Sequence, residues 1–314
     1  MEQNELVNET AEAKKPRKKF INTPWCAILF AACLFVIALG IQIVTSIVGV
    51  IPTAVKVMME VGGDMDAYTV KMTEATQGGN LIVILEIISV ILALIFSLVA
   101  YYFGFVRRDI KKKTFESVLP KLLNVNSISF LICGSVAVMS IASVLSVLTR
   151  LMFPEMENLL NQALDLSLGD NMAVAMFIVA FLAPISEELL VRGLLVRHTR
   201  NAFGLVGCII MSTIFFSLYH MNPIQAIYVI PMGIFWGFIA YKFNSVIPSI
   251  ICHMINNFGS GFLNMAIGSE VNKIWIYVVI FIVFTAITVF LGINNTVINN
   301  RNKVDNGGNS VEIL

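Results

Sequence analysis

The chain has 314 residues, 57% of them hydrophobic and 13% charged, with a net charge of +1 and a mean hydropathy of +0.83. A soluble domain is about half apolar and a quarter charged, so this composition excludes one and predicts an all-α, polytopic membrane protein. The lipid bilayer is its expected surrounding, and no nucleic-acid partner is expected.

Residues 1–23 are polar and basic, and they carry no pattern of a removable signal peptide. They read as a cytoplasmic segment whose charge suits anionic headgroups. A helix needs about 20 mostly apolar residues to cross the hydrocarbon, and eight stretches qualify: 25–50, 81–105, 127–150, 172–196, 204–220, 224–241, 246–267 and 274–293. The fifth and sixth are short, and Met221-Asn222-Pro223 alone joins them, which predicts a tight helical hairpin. The links 51–80 and 152–171 alternate apolar and acidic residues and suit helices lying along the membrane surface. Residues 295–314 read as a polar cytoplasmic tail, its last dozen residues rich in Asn, Gly and Lys. The organisation expected is one membrane domain over 24–294.

Orientation follows from where Lys and Arg collect. Lys14 to Lys19, Arg107 to Lys121, Arg192, Arg197, Arg200, Lys242, Arg301 and Lys303 share one side of an eight-span arrangement with both termini cytoplasmic. Lys56, Lys71, Arg150 and Lys273 are left on the other. Cys26, Cys33, Cys133, Cys208 and Cys252 all lie in apolar runs without a Cys-x-x-Cys pair, and they read as small buried hydrophobes.

Three polar clusters interrupt the apolar stretches: Glu187-Glu188-x-x-x-Arg192, Phe216-x-x-x-His220 and His253-x-x-x-Asn257. A single charge at the centre of a spanning helix costs roughly 2.5–3.5 kcal/mol on translocon scales. Glu188 and Arg192 stand four residues apart and face each other on a helix, which suits an ion pair, either functional or snorkelling at the cytoplasmic end of the span. Glu187 lies about 100° away around the helix, so it needs a partner from another helix or a proton. Pro184, just upstream, removes a backbone hydrogen bond and predicts a kink. His220 closes the fifth span. His253 and Asn257 share a helical face, as a catalytic pair or as an interhelical clasp. His198, at the membrane boundary, reads as inert.

Taken together, Glu187, His220, His253 and Asn257 form a hydrolytic set. A desolvated carboxylate is a stronger base and, with a histidine, can activate water. A second histidine and a carboxamide can donate to the oxyanion of an attacked peptide carbonyl. Glu188 and Arg192 support the set, one acid kept ionised by its guanidinium partner.

The order of these motifs on successive helices resembles the CAAX prenyl protease and bacteriocin-processing (CPBP, Abi) family of intramembrane proteases, over about residues 172–267. The resemblance implies a multi-pass membrane endopeptidase, with Glu187 as catalytic glutamate, His220 and His253 as the two histidines and Asn257 as the asparagine. It also implies a hydrophobic, lipidated or membrane-anchored peptide substrate and, by its range, a bacterial cell membrane. Two mechanisms fit. In one, Glu187 and His220 activate water without a cofactor. In the other, Glu187, His220 and His253 hold Zn²⁺. The chain has no His-Glu-x-x-His helix, and a carboxamide is more naturally an oxyanion donor than a zinc ligand, so the metal-free scheme is preferred. The rival functions are a proton- or ion-coupled transporter and a non-enzymatic immunity or scaffold protein. Depth poses a difficulty: span four places Glu187 in the cytoplasmic half, whereas His220, some sixteen apolar residues into span five, falls nearer the outer face. The two meet only if span five tilts, starts late, or ends inside the membrane with the tip 220–223 recessed.

Overall fold

The computed structural model describes residues 23–77, 81–155, 176–268 and 270–305. The basic segment 1–22, most of the link 152–171, the first residues of the fourth predicted span and the chain after 305 lie outside the described residues. What is described is helical, without a strand. The elements are α1 (Pro24–Val61), α2 (Met65–Gln77), α3 (Leu81–Lys112), α4 (Val125–Met152), α5 (Ile178–Tyr219), α6 (Pro223–Tyr228), α7 (Ile230–Phe243), α8 (Ile247–Ile267), α9 (Ile274–Ile293) and α10 (Thr296–Asp305). A single turn, Leu119–Leu122, lies between α3 and α4.

Among the described residues, five helices are long and apolar enough to cross a bilayer: α1, α3, α4, α5 and the segment Val271–Ile293 that contains α9. The protein is therefore an integral, multi-pass membrane protein. The other predicted stretches are helical too, but differently built. Stretch 204–220 is the second arm of α5. Stretch 224–241 is split into α6 and α7, the latter only 14 residues. Stretch 246–267 becomes α8, which has 21 residues but carries His253, Asn256 and Asn257.

The first span overruns its expected end. α1 continues through Pro52 to Val61 and stops at Gly62, whose φ of 60° places it in the left-handed region where glycine costs least. α2 then follows within the expected surface link. The polar tail also begins as structure: α10 is a helix, and Asn295 before it is buried, donating to Asn126 Oδ1 (2.8 Å) and Ser127 Oγ (3.2 Å) of α4.

α5 carries the main departure from the expected layout. It stays helical past 196 to 203, then turns at Gly204, where φ 64° and ψ −161° leave the helical region. After that bend the chain runs back along itself. Thr199 Oγ1 and Cys208 Sγ are 3.4 Å apart, and the Arg192 guanidinium lies 4.7 Å from the Phe216 ring centroid. Arg192 and Phe216 are each twelve residues from Gly204, so the two arms are in register. α7 packs on this hairpin through Gly233-x-x-x-Gly237. A methyl group added at Gly233 would meet Thr213 Cγ2 at 2.9 Å, and one at Gly237 would meet Ser212 Oγ at 2.8 Å. Small residues let membrane helices approach this closely. The core where α4, α5, α7 and α8 meet includes Phe130, Leu131, Leu195, Phe215, Phe216, Trp236 and Cys252.

Candidate active site

The hairpin removes the depth difficulty. Glu188 precedes Gly204 by sixteen residues and His220 follows it by sixteen, so both lie about 24 Å from the bend at 1.5 Å per residue. Glu187 is thus one helix length from the turn rather than near the end of its span, and His220 comes to its level without a tilt. The same geometry corrects two other expectations. Arg192 does not snorkel: it is 2% exposed and sits in the interior, so it does not belong with the loop charges used for orientation. Pro184 follows a π-helical turn, Ile178–Leu182, and a second π-helical stretch, Leu189–Val196, carries Arg192. Such turns inside α-helices are frequent at functional sites.

Arg192 Nη1 donates to Glu188 Oε1 at 2.8 Å, the pairing expected from the four-residue spacing, with both side chains fully buried. Arg192 Nη2 donates to the carbonyl of Gly233 on α7 at 3.3 Å. The same Glu188 oxygen lies 3.0 Å from His253 Nδ1 on α8. An ionised carboxylate only accepts, so Nδ1 of His253 carries the hydrogen and Nε2 is the ring atom that faces the remaining acid. That acid is Glu187, whose Oε2 lies 3.9 Å from His253 Nε2. This exceeds hydrogen-bond length and leaves both atoms with open capacity. Glu187 is the less enclosed of the two acids, its side chain 18% exposed against 0% for Glu188.

His220 is tied locally. Its Nδ1 is 2.7 Å from the carbonyl of Phe216, which only accepts, so Nδ1 donates and, in the neutral ring, Nε2 keeps its lone pair. The Phe216 ring joins the two histidines, standing edge-on to His220 at 4.7 Å and to His253 at 5.8 Å between centroids. Asn257 Nδ2 donates to the Val179 carbonyl at 2.9 Å, inside the first π-helical turn. That uses one of its two N–H bonds. His198, expected to be inert, stacks on Phe30 of α1 at 4.0 Å, away from this cluster. Among the described residues, no group of three or more His, Cys, Asp or Glu side chains is arranged to hold a metal ion.

Four residues at the site went unread in the sequence. Trp236 is fully buried and stacks on His253 at 4.1 Å, with an interplanar angle of 23°. Gly233 supplies a carbonyl to Arg192. Asn256 is buried beside Asn257, its Nδ2 3.4 Å from the Asn257 Oδ1. Tyr219 accepts from Gln42 of α1 at 3.2 Å. The Gly-x-x-x-Gly spacing around Trp236 was the available signal for the first two.

A buried Arg–Glu–His chain and a second acid beside it, held by α5, α7 and α8, form a polar centre inside a multi-pass helical protein. Residues 169–259 match the family model described as Type II CAAX prenyl endopeptidase Rce1-like. The resemblance carried by the three motifs therefore holds over that segment, which contains every motif residue. No curated protein and no solved structure gives a significant match.

Proposed function

We propose that this protein is an intramembrane endopeptidase that hydrolyses a peptide bond of a membrane-associated or lipidated substrate with water activated by Glu187 and His220. The observation that carries this reading is the convergence of Arg192, His220 and His253, one from each of the three motifs, around the Phe216 ring. The free Nε2 of His220 and the partly exposed Glu187 suit proton abstraction from water.

His253 and Asn257 serve as oxyanion donors. Since Glu188 takes the Nδ1 hydrogen, donation to the oxyanion from Nε2 requires His253 to carry a hydrogen on both ring nitrogens. Asn257 donates with the N–H that Val179 leaves free. Donors placed beforehand at the developing charge contribute the most where water is excluded. Glu188 and Arg192 fix the ring of His253 rather than touch substrate.

The site works in a bacterial cell membrane, in a chain of eight helical passages with both termini cytoplasmic, α7 and α8 among them. The test uses purified protein in bicelles with a farnesylated, internally quenched peptide ending in a C-a-a-X sequence. Wild type should cleave it and Glu187→Ala should not, with melting unchanged. A chelator should leave the rate intact; loss on chelation with recovery on adding Zn²⁺ would replace water activation by Glu187 with metal chemistry. Ion uptake into liposomes that depends on Glu187, without cleavage of any membrane peptide, would support a transporter instead.

A further inference from the structure

We infer that Trp236 of α7 is a positioning residue of the site: its indole face holds the imidazole of His253 in the plane that lets Nδ1 meet Glu188 and Nε2 face Glu187. This rests on the reading of the site as a peptidase centre. A hydrogen bond from Nδ1 to a single carboxylate oxygen leaves the ring able to tilt by coupled turns about its Cα–Cβ and Cβ–Cγ bonds. The stack supplies the missing restraint, with ring planes 23° apart and centroids 4.1 Å apart. On its other contacts Trp236 meets Phe216 edge-on at 5.6 Å and lies 5.6 Å from the Arg192 guanidinium. The ring that orients His253 is thus held by the groups that hold Glu188 and His220. An indole face also attracts cations, so it suits the Arg192 guanidinium.

Trp236 is 0% exposed, so substrate does not reach it and its action passes through His253. Its Nε1 has no hydrogen-bond partner among the described residues. That points to the ring face, rather than the N–H, as the part the site uses. The glycines on either side, Gly233 and Gly237, bring the α7 backbone close enough to α5 for a ring this large to enter.

The test compares Trp236→Phe, which keeps a flat face and loses the N–H, with Trp236→Leu, which loses both. Two readouts are used on the full chain. The first is the ¹⁵N spectrum of histidine-labelled protein in bicelles. The chain has only three histidines, and His253→Gln assigns the signal. Wild type and Trp236→Phe should give one sharp His253 pattern with Nδ1 protonated, and Trp236→Leu a broadened or mixed one. The second is cleavage of the farnesylated quenched peptide. Trp236→Leu should lose about 10²-fold in kcat, the order expected of a 1 Å misplacement, with KM little changed. Trp236→Phe should keep most of kcat. In a double-mutant cycle with Glu188→Gln the two losses should be non-additive, because both residues hold one ring.

A Trp236→Leu protein with the wild-type His253 spectrum would overturn the inference, as would a Trp236→Phe protein as impaired as Trp236→Leu. If the spectra differ as expected while wild type cleaves nothing, the peptidase reading fails and the positioning role stands.

Discussion

α4 and α9 lie side by side and obey opposite rules. α9 is among the most apolar helices of the chain, yet only Tyr277 of its 20 residues is buried. Side chains such as Trp275, Ile282 and Phe290 face outward. α4 is less apolar, and 13 of its 28 residues are buried, among them Ser127, Ser135, Ser140, Ser143 and Thr149. In water the greasier helix would be the interior one. In lipid the hydrophobic effect gives no reason to bury Ile or Val, so interiors are chosen by close packing and by polar groups that need partners. The hydroxyls of Ser135, Ser140, Ser143 and Thr149 bond backbone carbonyls one turn back, which lets α4 present small polar residues inside without unpaired groups. The same rule accounts for the site: the clusters that cost most in lipid lie on the inward faces of α5 and α8.

The largest test of this contrast is chemical. Glu187→Gln keeps the shape and removes the proposed base, and cleavage of the quenched peptide should fall by about 10²–10⁴-fold with no change in melting temperature. Replacing Ile282 by Gln on the outer face of α9 should do the reverse, lowering stability and insertion yield while the protein that folds keeps its specific activity. If the two substitutions gave the same profile, inside and outside would not be distinguished as described.

Next in size is the buried ion pair. Arg192→Leu strands Glu188, which is fully buried, and removal of one partner of such a pair costs about 3–5 kcal/mol. Unfolding monitored in bicelles should register most of that. Lys71→Ala, by contrast, breaks the exposed contact of Lys71 with Glu60 at 3.1 Å and should cost about 1 kcal/mol or less. Equal losses would mean that Arg192 is stabilised by solvent rather than by Glu188 and the Gly233 carbonyl.

The motif residues were legible because their chemistry is costly in lipid and their spacing is local: the Glu188–Arg192 pair follows from one helical turn. The helical class and most segment positions were legible from hydropathy for the same local reason. What was not legible depends on one dihedral pair. Gly204 sits between Phe203 and Leu205 with nothing around it to announce a reversal, and without the bend Glu187 and His220 fall at different depths. The role of Trp236 was hidden differently. In a run that reads as span filler, an indole is indistinguishable from lipid-facing bulk until the glycines beside it are seen to press α7 onto α5. α7 and α8, which carry Trp236, His253 and Asn257, are helices that do not pass the length and composition test for crossing a bilayer.

The third test targets that close approach. Gly233→Val places methyl groups where Thr213 Cγ2, Oγ1 and Cα already lie within about 3 Å, and overpacking of this kind costs about 1–3 kcal/mol. It also moves the carbonyl that receives Arg192 Nη2, so activity should fall further than stability alone explains. Gly40→Val on α1, with nothing within 4 Å of the added carbon, should leave activity unchanged.

The smallest effect is expected from Val283→Leu on α9, 48% exposed, which should shift stability by no more than about 0.5 kcal/mol. Its value lies in the comparison with Val191→Leu, at a site 0% exposed in the π-helical stretch next to Arg192. Both changes exchange a β-branched side chain for a larger one of similar hydropathy, so lipid solvation hardly distinguishes them. Any difference between them reports packing alone. Val191→Leu should lose about 1–3 kcal/mol by overpacking and slow cleavage by displacing Arg192, while Val283→Leu does neither. A matching response at both positions would mean that the interior around Arg192 is as loosely packed as the surface that meets lipid, and the close fit on which the site geometry depends would be absent.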